Sequence, residues 1–168
     1  VLRAVDVIAA AVIFYYTLIK FKKFKIAFLE LIQLAGILWF EKGIGHAIEA
    51  RHDLLIDNFA LIMVLIAGII GSLIAVFSLG YMEEFQKEHR DVQDRRPFFF
   101  FVIFLFLSAM FGLVISNNLL IMYTCWEITS LCSFLLIGYT QTEEAVENSF
   151  KALWMNLLGG VAFAAAIL

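Results

Sequence analysis

The sequence predicts an all-α membrane protein of about six transmembrane helices, and two observations support that prediction. Hydrophobic residues make up 63% of the chain and charged residues 16%, with a mean hydropathy of +0.94. Soluble domains contain about 45–50% apolar and about 25% charged residues, and a chain this short could not bury so much apolar surface in a soluble core. The apolar residues also form long runs, most of them close to the ~20 residues that a helix needs to cross a bilayer.

The first two predicted spans lie near the N-terminus. Val1–Ile19 has its charged residues, Arg3 and Asp6, close to one end. Phe24–Phe40 is the harder case, because it has only 17 residues and contains Glu30. By length it either spans with little tilt or lies in the membrane interface.

The distribution of basic residues favours the interpretation that Phe24–Phe40 spans the membrane. If it does, the lysine-rich residues 20–25 fall on the same side of the membrane as residues 83–96, and that side collects eight of the twelve Lys and Arg residues. If it does not, the bias vanishes or reverses. Because Lys and Arg accumulate on the cytoplasmic side, we predict that both segments are cytoplasmic.

Four further spans follow along the chain: Ile56–Met82, Pro97–Ile115, Leu119–Tyr139 and Phe150–Leu168. Pro97 opens the second of these spans, and a proline suits the first position of a helix. The turn at residues 116–118 is so short that the two helices beside it must be antiparallel neighbours.

Glu127 is the main candidate functional residue. It stands in the middle of a span that otherwise carries no charge. A carboxylate at bilayer depth costs about 2.5–3.5 kcal/mol on insertion scales, and burial disfavours its charged form. A group that can hold or release a proton at that depth is a candidate step in an ion path. The alternative is a structural, hydrogen-bonded carboxylate.

Three other ionisable residues lie near lipid. Lys151 opens the last span, where a lysine either takes part in a relay or extends to the interface at little cost. Asp57 and Glu30 are better explained by contacts with head groups or a loop. A lysine on another helix would stabilise the carboxylate of Glu127, and withdrawal of that cation would let the carboxylate take up a proton.

Several chemistries are not predicted. His46, His52 and His89 fall in predicted loops, which excludes bis-histidine haem ligation at membrane depth. The sequence has no Cys-x-x-Cys pair, glycine-rich phosphate loop or nucleophile elbow, so we predict no cofactor and no redox centre. Cys125 and Cys132 are predicted to be unpaired packing residues. The net charge of −3 argues against a nucleic-acid partner.

A long motif surrounds Glu127. Residues 116–123, followed by Trp126-Glu127 and by residues 131–139, resemble the antiporter-like proton-translocating family. That family includes the large membrane subunits of respiratory complex I, the membrane subunits of energy-converting hydrogenases and the large subunit of multisubunit sodium/proton antiporters. The resemblance extends over roughly Asp57 to the end of the chain and includes Gly159-Gly160, which is more like the antiporter and hydrogenase branches.

The resemblance implies a bundle of about fourteen helices with two inverted repeats of about five helices each. Residues 1–55 would hold two N-terminal helices and an outer loop, and residues 56–168 the first four helices of the first repeat. The chain starts without Met and stops in an apolar run, which fits a segment of a longer protein. Candidate relay residues are Glu127 and Lys151, with Asp57, Ser130 and Trp126 in support. In the family the matching glutamate pairs with a lysine two helices further along, beyond this chain.

The implied function is translocation of protons, or of sodium ions, by a subunit of a redox-driven membrane oxidoreductase that carries no redox site of its own. Two alternatives stay open: the large subunit of a multisubunit sodium/proton antiporter, and a structural subunit that anchors a peripheral enzyme. The expected partners are the lipid bilayer, other membrane subunits and the translocated H⁺ or Na⁺. The expected location is the cytoplasmic membrane of a bacterium or archaeon.

Overall fold

The computed structural model describes residues 8, 10–16, 28, 31, 35, 54–89 and 92–167. Within these residues the chain forms four long helices: α1 (Asn58–Glu88), α2 (Arg96–Ile115), α3 (Leu119–Ile137) and α4 (Glu143–Ile167). All four are long and apolar enough to cross a membrane. The chain is therefore an all-α integral membrane protein, as the sequence predicts. The predicted spans Val1–Ile19 and Phe24–Phe40 lie mostly outside the described residues, and Glu30 lies entirely outside them.

Helix boundaries follow the predicted spans closely at α2 and α3 and less closely at α1 and α4. α1 continues past Met82 to Glu88, and α4 begins at Glu143 rather than at Phe150. Charged residues end a hydrophobic run without ending a helix, because the backbone hydrogen bonds continue equally well in water. The acidic first turn of α4 also interacts favourably with the positive end of the helix dipole.

Successive helices pack against each other, so that α3 lies between α2 and α4. The core where α3 meets α4 contains the rings of Phe134 and Phe150, whose centroids are 5.1 Å apart. Ile13, from the N-terminal segment, joins the same cluster. The other buried members are Leu131, Leu153 and Leu157.

Two glycines allow close approach between neighbouring helices. A Cβ added at Gly112 would lie 2.7 Å from the Sγ of Cys125, so α2 and α3 touch there. A Cβ added at Gly71 would overlap the side chain of Leu107, where α1 meets α2. Small residues commonly mark such contacts between membrane helices. Cys132 is buried and free, which agrees with its prediction as a packing residue.

Contacts at the two ends of the bundle fix its alternating topology. At one end, the N–H of Leu55 donates to the carbonyl of Ile115 at 2.9 Å, so the start of α1 meets the α2–α3 turn. At the other, Nη2 of Arg95 donates to the carbonyl of Tyr139 at 2.6 Å, so the start of α2 meets the end of α3. The second end contains residues 83–89 and 92–96, which belong to the segment predicted to be cytoplasmic.

Candidate functional site

Glu127 lies near the middle of α3. It is eight residues from the first residue of the helix and ten from the last, which corresponds to about 12 Å and about 15 Å along the axis. The residue is 8% exposed. The carboxylate is therefore enclosed by protein at the depth where a charge is most costly, and it does not lie at an edge of the bundle.

Tyr123 donates a hydrogen bond to this carboxylate. Its hydroxyl donates to Oε1 of Glu127 at 2.7 Å, and the tyrosine is only 1% exposed. The two residues are four apart in one helix, so their side chains lie on the same face. The sequence-based candidates omit this tyrosine, although its spacing from the glutamate is the signal that could have identified it.

Ser130 lies on the same face of α3, one turn after Glu127, and is buried. Its hydroxyl donates to the carbonyl of Trp126 at 3.0 Å. Thr124 and Ser133 also donate to carbonyls four residues earlier, at 3.0 Å and 2.9 Å. These serine and threonine hydroxyls thus bond to the backbone of their own helix, a common arrangement for Ser and Thr in helices.

An aromatic ring of α4 packs on two residues that precede Glu127 in α3. Phe163 contacts Tyr123 with ring centroids 5.7 Å apart and Trp126 with centroids 6.4 Å apart. A Cβ added at Gly159 would lie 3.6 Å from the Trp126 ring, an ordinary contact. The half of α4 that follows the glycine pair therefore packs beside the site.

Lys151 lies far from Glu127 in this structure. It forms an ion pair with Glu147 one turn earlier on α4, at 3.1 Å, and both side chains are more than 60% exposed (64% and 62%). Its neighbour Phe150 packs on Phe134, which is seven residues beyond Glu127 on α3, or about 10 Å along the axis. The two predicted relay residues are therefore not in direct contact.

Asp57 caps the first helix. Its side chain accepts a hydrogen bond from the backbone N–H of Ala60 at 2.7 Å. An aspartate at this position satisfies one of the backbone donors that a helix start leaves unpaired. The structure therefore gives Asp57 a local role at the end of the bundle away from residues 83–96.

We expect Asp57→Ala to destabilise the full-length protein by about 1 kcal/mol, because the cap is lost while the rest of α1 is unchanged. Asp57→Asn should retain most of that stability, since an asparagine side chain caps equally well. Thermal unfolding in detergent measures both variants. Equal losses in the two variants would contradict a capping role and favour a role for the charge.

Comparisons with known proteins place the chain in a family. The N-terminal family model of complex I (NADH-ubiquinone oxidoreductase) chain 5 matches residues 39–91. The model of the transmembrane region shared by NADH:quinone oxidoreductase and the Mrp antiporter matches residues 116–168, which include the whole of α3 and of α4. No solved structure matches the chain.

Curated relatives agree with the family models. The Na⁺/H⁺ antiporter subunit A1 proteins of Staphylococcus aureus strains JH9 and Newman are each 32% identical over 117 residues. The alignment covers 69% of this chain but only 14% of each relative, so the chain spans about one seventh of their length. With its membrane helices and the motif around Glu127, the chain belongs to the family of antiporter-like membrane subunits found in complex I and Mrp antiporters.

Proposed function

We propose that this chain is part of an ion-translocating membrane subunit in which Glu127 relays protons. The observation that supports the proposal most directly is the burial of this carboxylate halfway along a membrane helix, at 8% exposure. Intramembrane ionisable residues are costly and are typical of ion pathways and proton relays. A neutral side chain of similar size would insert at lower cost.

The relay needs Glu127 to alternate between its charged and its protonated form. The hydrogen bond from Tyr123 stabilises the charged form in this structure. The cation that stabilises it further would come from a helix after Leu168, as the family resemblance implies. Movement of that cation away from the carboxylate would favour proton uptake, and its return would favour release.

Lys151 has a supporting role in this proposal. It lies on the α4 turn between the acidic start of the helix and the level of Glu127, paired with Glu147. This position suits a group that exchanges protons between the predicted cytoplasmic surface and the interior. A distance of about 10 Å along the axis requires at least one further group or water between Lys151 and Glu127.

Two driving forces are consistent with membership of this family. The match to complex I chain 5 supports a redox-driven subunit, the type preferred from the sequence. The relatives named as Na⁺/H⁺ antiporter subunits support the alternative, an antiporter driven by an ion gradient. We give priority to the antiporter, because that similarity covers 69% of the chain in one continuous alignment.

The test is to reconstitute the full-length subunit with its partner subunits in sealed vesicles and to follow H⁺ and Na⁺ across the membrane. Exchange that needs only an imposed Na⁺ or H⁺ gradient would support the antiporter. Ion movement that starts only when an electron donor is added would support the redox-driven complex. Absence of ion movement under both conditions, in a complex that assembles normally, would contradict translocation and leave a structural anchor.

A further inference from the structure

We propose that Tyr123 is a positioning residue for Glu127, which holds the carboxylate at a fixed place in the ion path and stabilises its charged form. The inference rests on the proposed relay function of Glu127. It assigns a role to a residue that the sequence motif contains but that the charge pattern alone does not single out. Three features of the structure support it.

The first feature is the geometry of the bond. The distance of 2.7 Å between the hydroxyl and Oε1 is typical of a strong bond from a hydroxyl to a carboxylate. Both groups belong to α3, one turn apart, so the donor and the acceptor are carried by the same helix.

The second feature is the rigidity of the donor. Tyr123 is 1% exposed, and its ring packs edge-on against Phe163 of α4. A tyrosine has only two side-chain torsions, whereas a glutamate has three and loses more freedom when it is fixed. The packed ring therefore positions the more flexible carboxylate, and not the reverse.

The third feature is the use of the other hydroxyls on α3. Ser130, the hydroxyl residue one turn after Glu127, donates to the carbonyl of Trp126. Thr124, next to Tyr123 in the sequence, donates to the carbonyl of Leu120. These two hydroxyls bond to backbone carbonyls, whereas the hydroxyl of Tyr123 bonds to the buried carboxylate of Glu127.

The experiment compares Tyr123→Phe with wild type in the full-length protein, assembled with its partner subunits in vesicles. Phenylalanine keeps the ring that packs on Phe163 and removes only the hydroxyl. We expect ion flux to fall about tenfold, the factor associated with loss of one hydrogen bond to a charged group. Tyr81→Phe is the matched control, because Tyr81 is exposed on α1, and its flux should equal that of wild type.

A second readout separates positioning from general packing. The infrared band of the protonated carboxyl group at residue 127 is identified by its disappearance in Glu127→Gln. Tyr123→Phe should move this band to higher frequency, because the carbonyl loses a donor, whereas Tyr81→Phe should leave it in place. In the Glu127→Gln background, Tyr123→Phe should cause no further loss of flux.

Two results would overturn the inference. One is a flux in Tyr123→Phe equal to that of Tyr81→Phe. The other is a lower flux with an unmoved carboxyl band, which would mean that the hydroxyl acts on packing alone. Failure of the relay itself gives a different result: Glu127→Gln would retain full flux, while the band shift in Tyr123→Phe would still report the bond between the two side chains.

Discussion

Replacement of Glu127 by glutamine is expected to lower the ion flux of the full-length, assembled protein by about 100-fold or more, the usual contribution of a positioned proton-transfer group. Glutamine has almost the same shape and still accepts the hydrogen bond from Tyr123, but it cannot take up and release a proton at physiological pH. The fold and the amount of assembled complex should therefore change little. Proton and sodium flux into sealed vesicles, normalised to protein, measures the effect.

The matched control for this prediction is Glu143→Gln, the same chemical change in the exposed first turn of α4. We expect its flux to stay close to that of wild type, because the Glu143 side chain is already in contact with solvent. Equal flux in wild type and Glu127→Gln would contradict the relay. A similar loss in both variants would point to a general effect of acidic residues on ion concentration at the membrane surface.

Gly71→Ala is expected to destabilise the protein by about 1–2 kcal/mol, although alanine is the better helix former. The added methyl group would overlap the side chain of Leu107 across the α1–α2 contact. Overpacking of this kind costs about 1–3 kcal/mol, and the higher helix propensity of alanine offsets up to about 1 kcal/mol of it. Thermal unfolding of the full-length protein in detergent gives the change.

Gly80→Ala supplies the control on the same helix. In the described part of the chain, no atom beyond the glycine's own stretch of helix backbone lies within 4 Å of a Cβ added at Gly80. This substitution should therefore be neutral or should stabilise the protein by up to about 1 kcal/mol. In the double variant Gly71→Ala/Leu107→Ala the two effects should not add, because the smaller side chain makes room for the methyl group. Stabilisation by Gly71→Ala would show that α1 and α2 separate easily at this level.

The helices that the sequence predicts most accurately are those with sharp chemical boundaries. α2 begins beside Pro97 and α3 begins after Asn118, whose side chain accepts from the N–H of Leu120. α1 and α4 extend beyond their apolar runs, and hydropathy cannot predict the end of a helix that continues into water. The acid at the centre of the site was likewise predictable, because an isolated charge in an apolar run is conspicuous.

The contacts between particular side chains were harder to predict. Tyr123 resembles any other aromatic residue in an apolar span until its hydroxyl is located. The contact of Gly71 with Leu107 depends on how two helices are rotated, which the sequence does not determine. A Cβ added at Gly68, one turn earlier on α1, would lie 3.6 Å from Phe111, an ordinary distance. Lys151 is predicted to open the last span, but it lies eight residues after the first residue of α4. Its pairing with Glu147 depends on the additional turns that begin that helix.

The self-contained hydrogen bonding of α3 has a consequence for biosynthesis. Thr124, Ser130 and Ser133 satisfy their hydroxyl groups on their own backbone, and Glu127 receives a donor from its own helix. A nascent segment with this pattern can leave the translocon for lipid before α4 has been synthesised, because these four polar side chains already have partners within the segment. The order in which the helices emerge from the ribosome then places no special demand on the span that carries the buried acid.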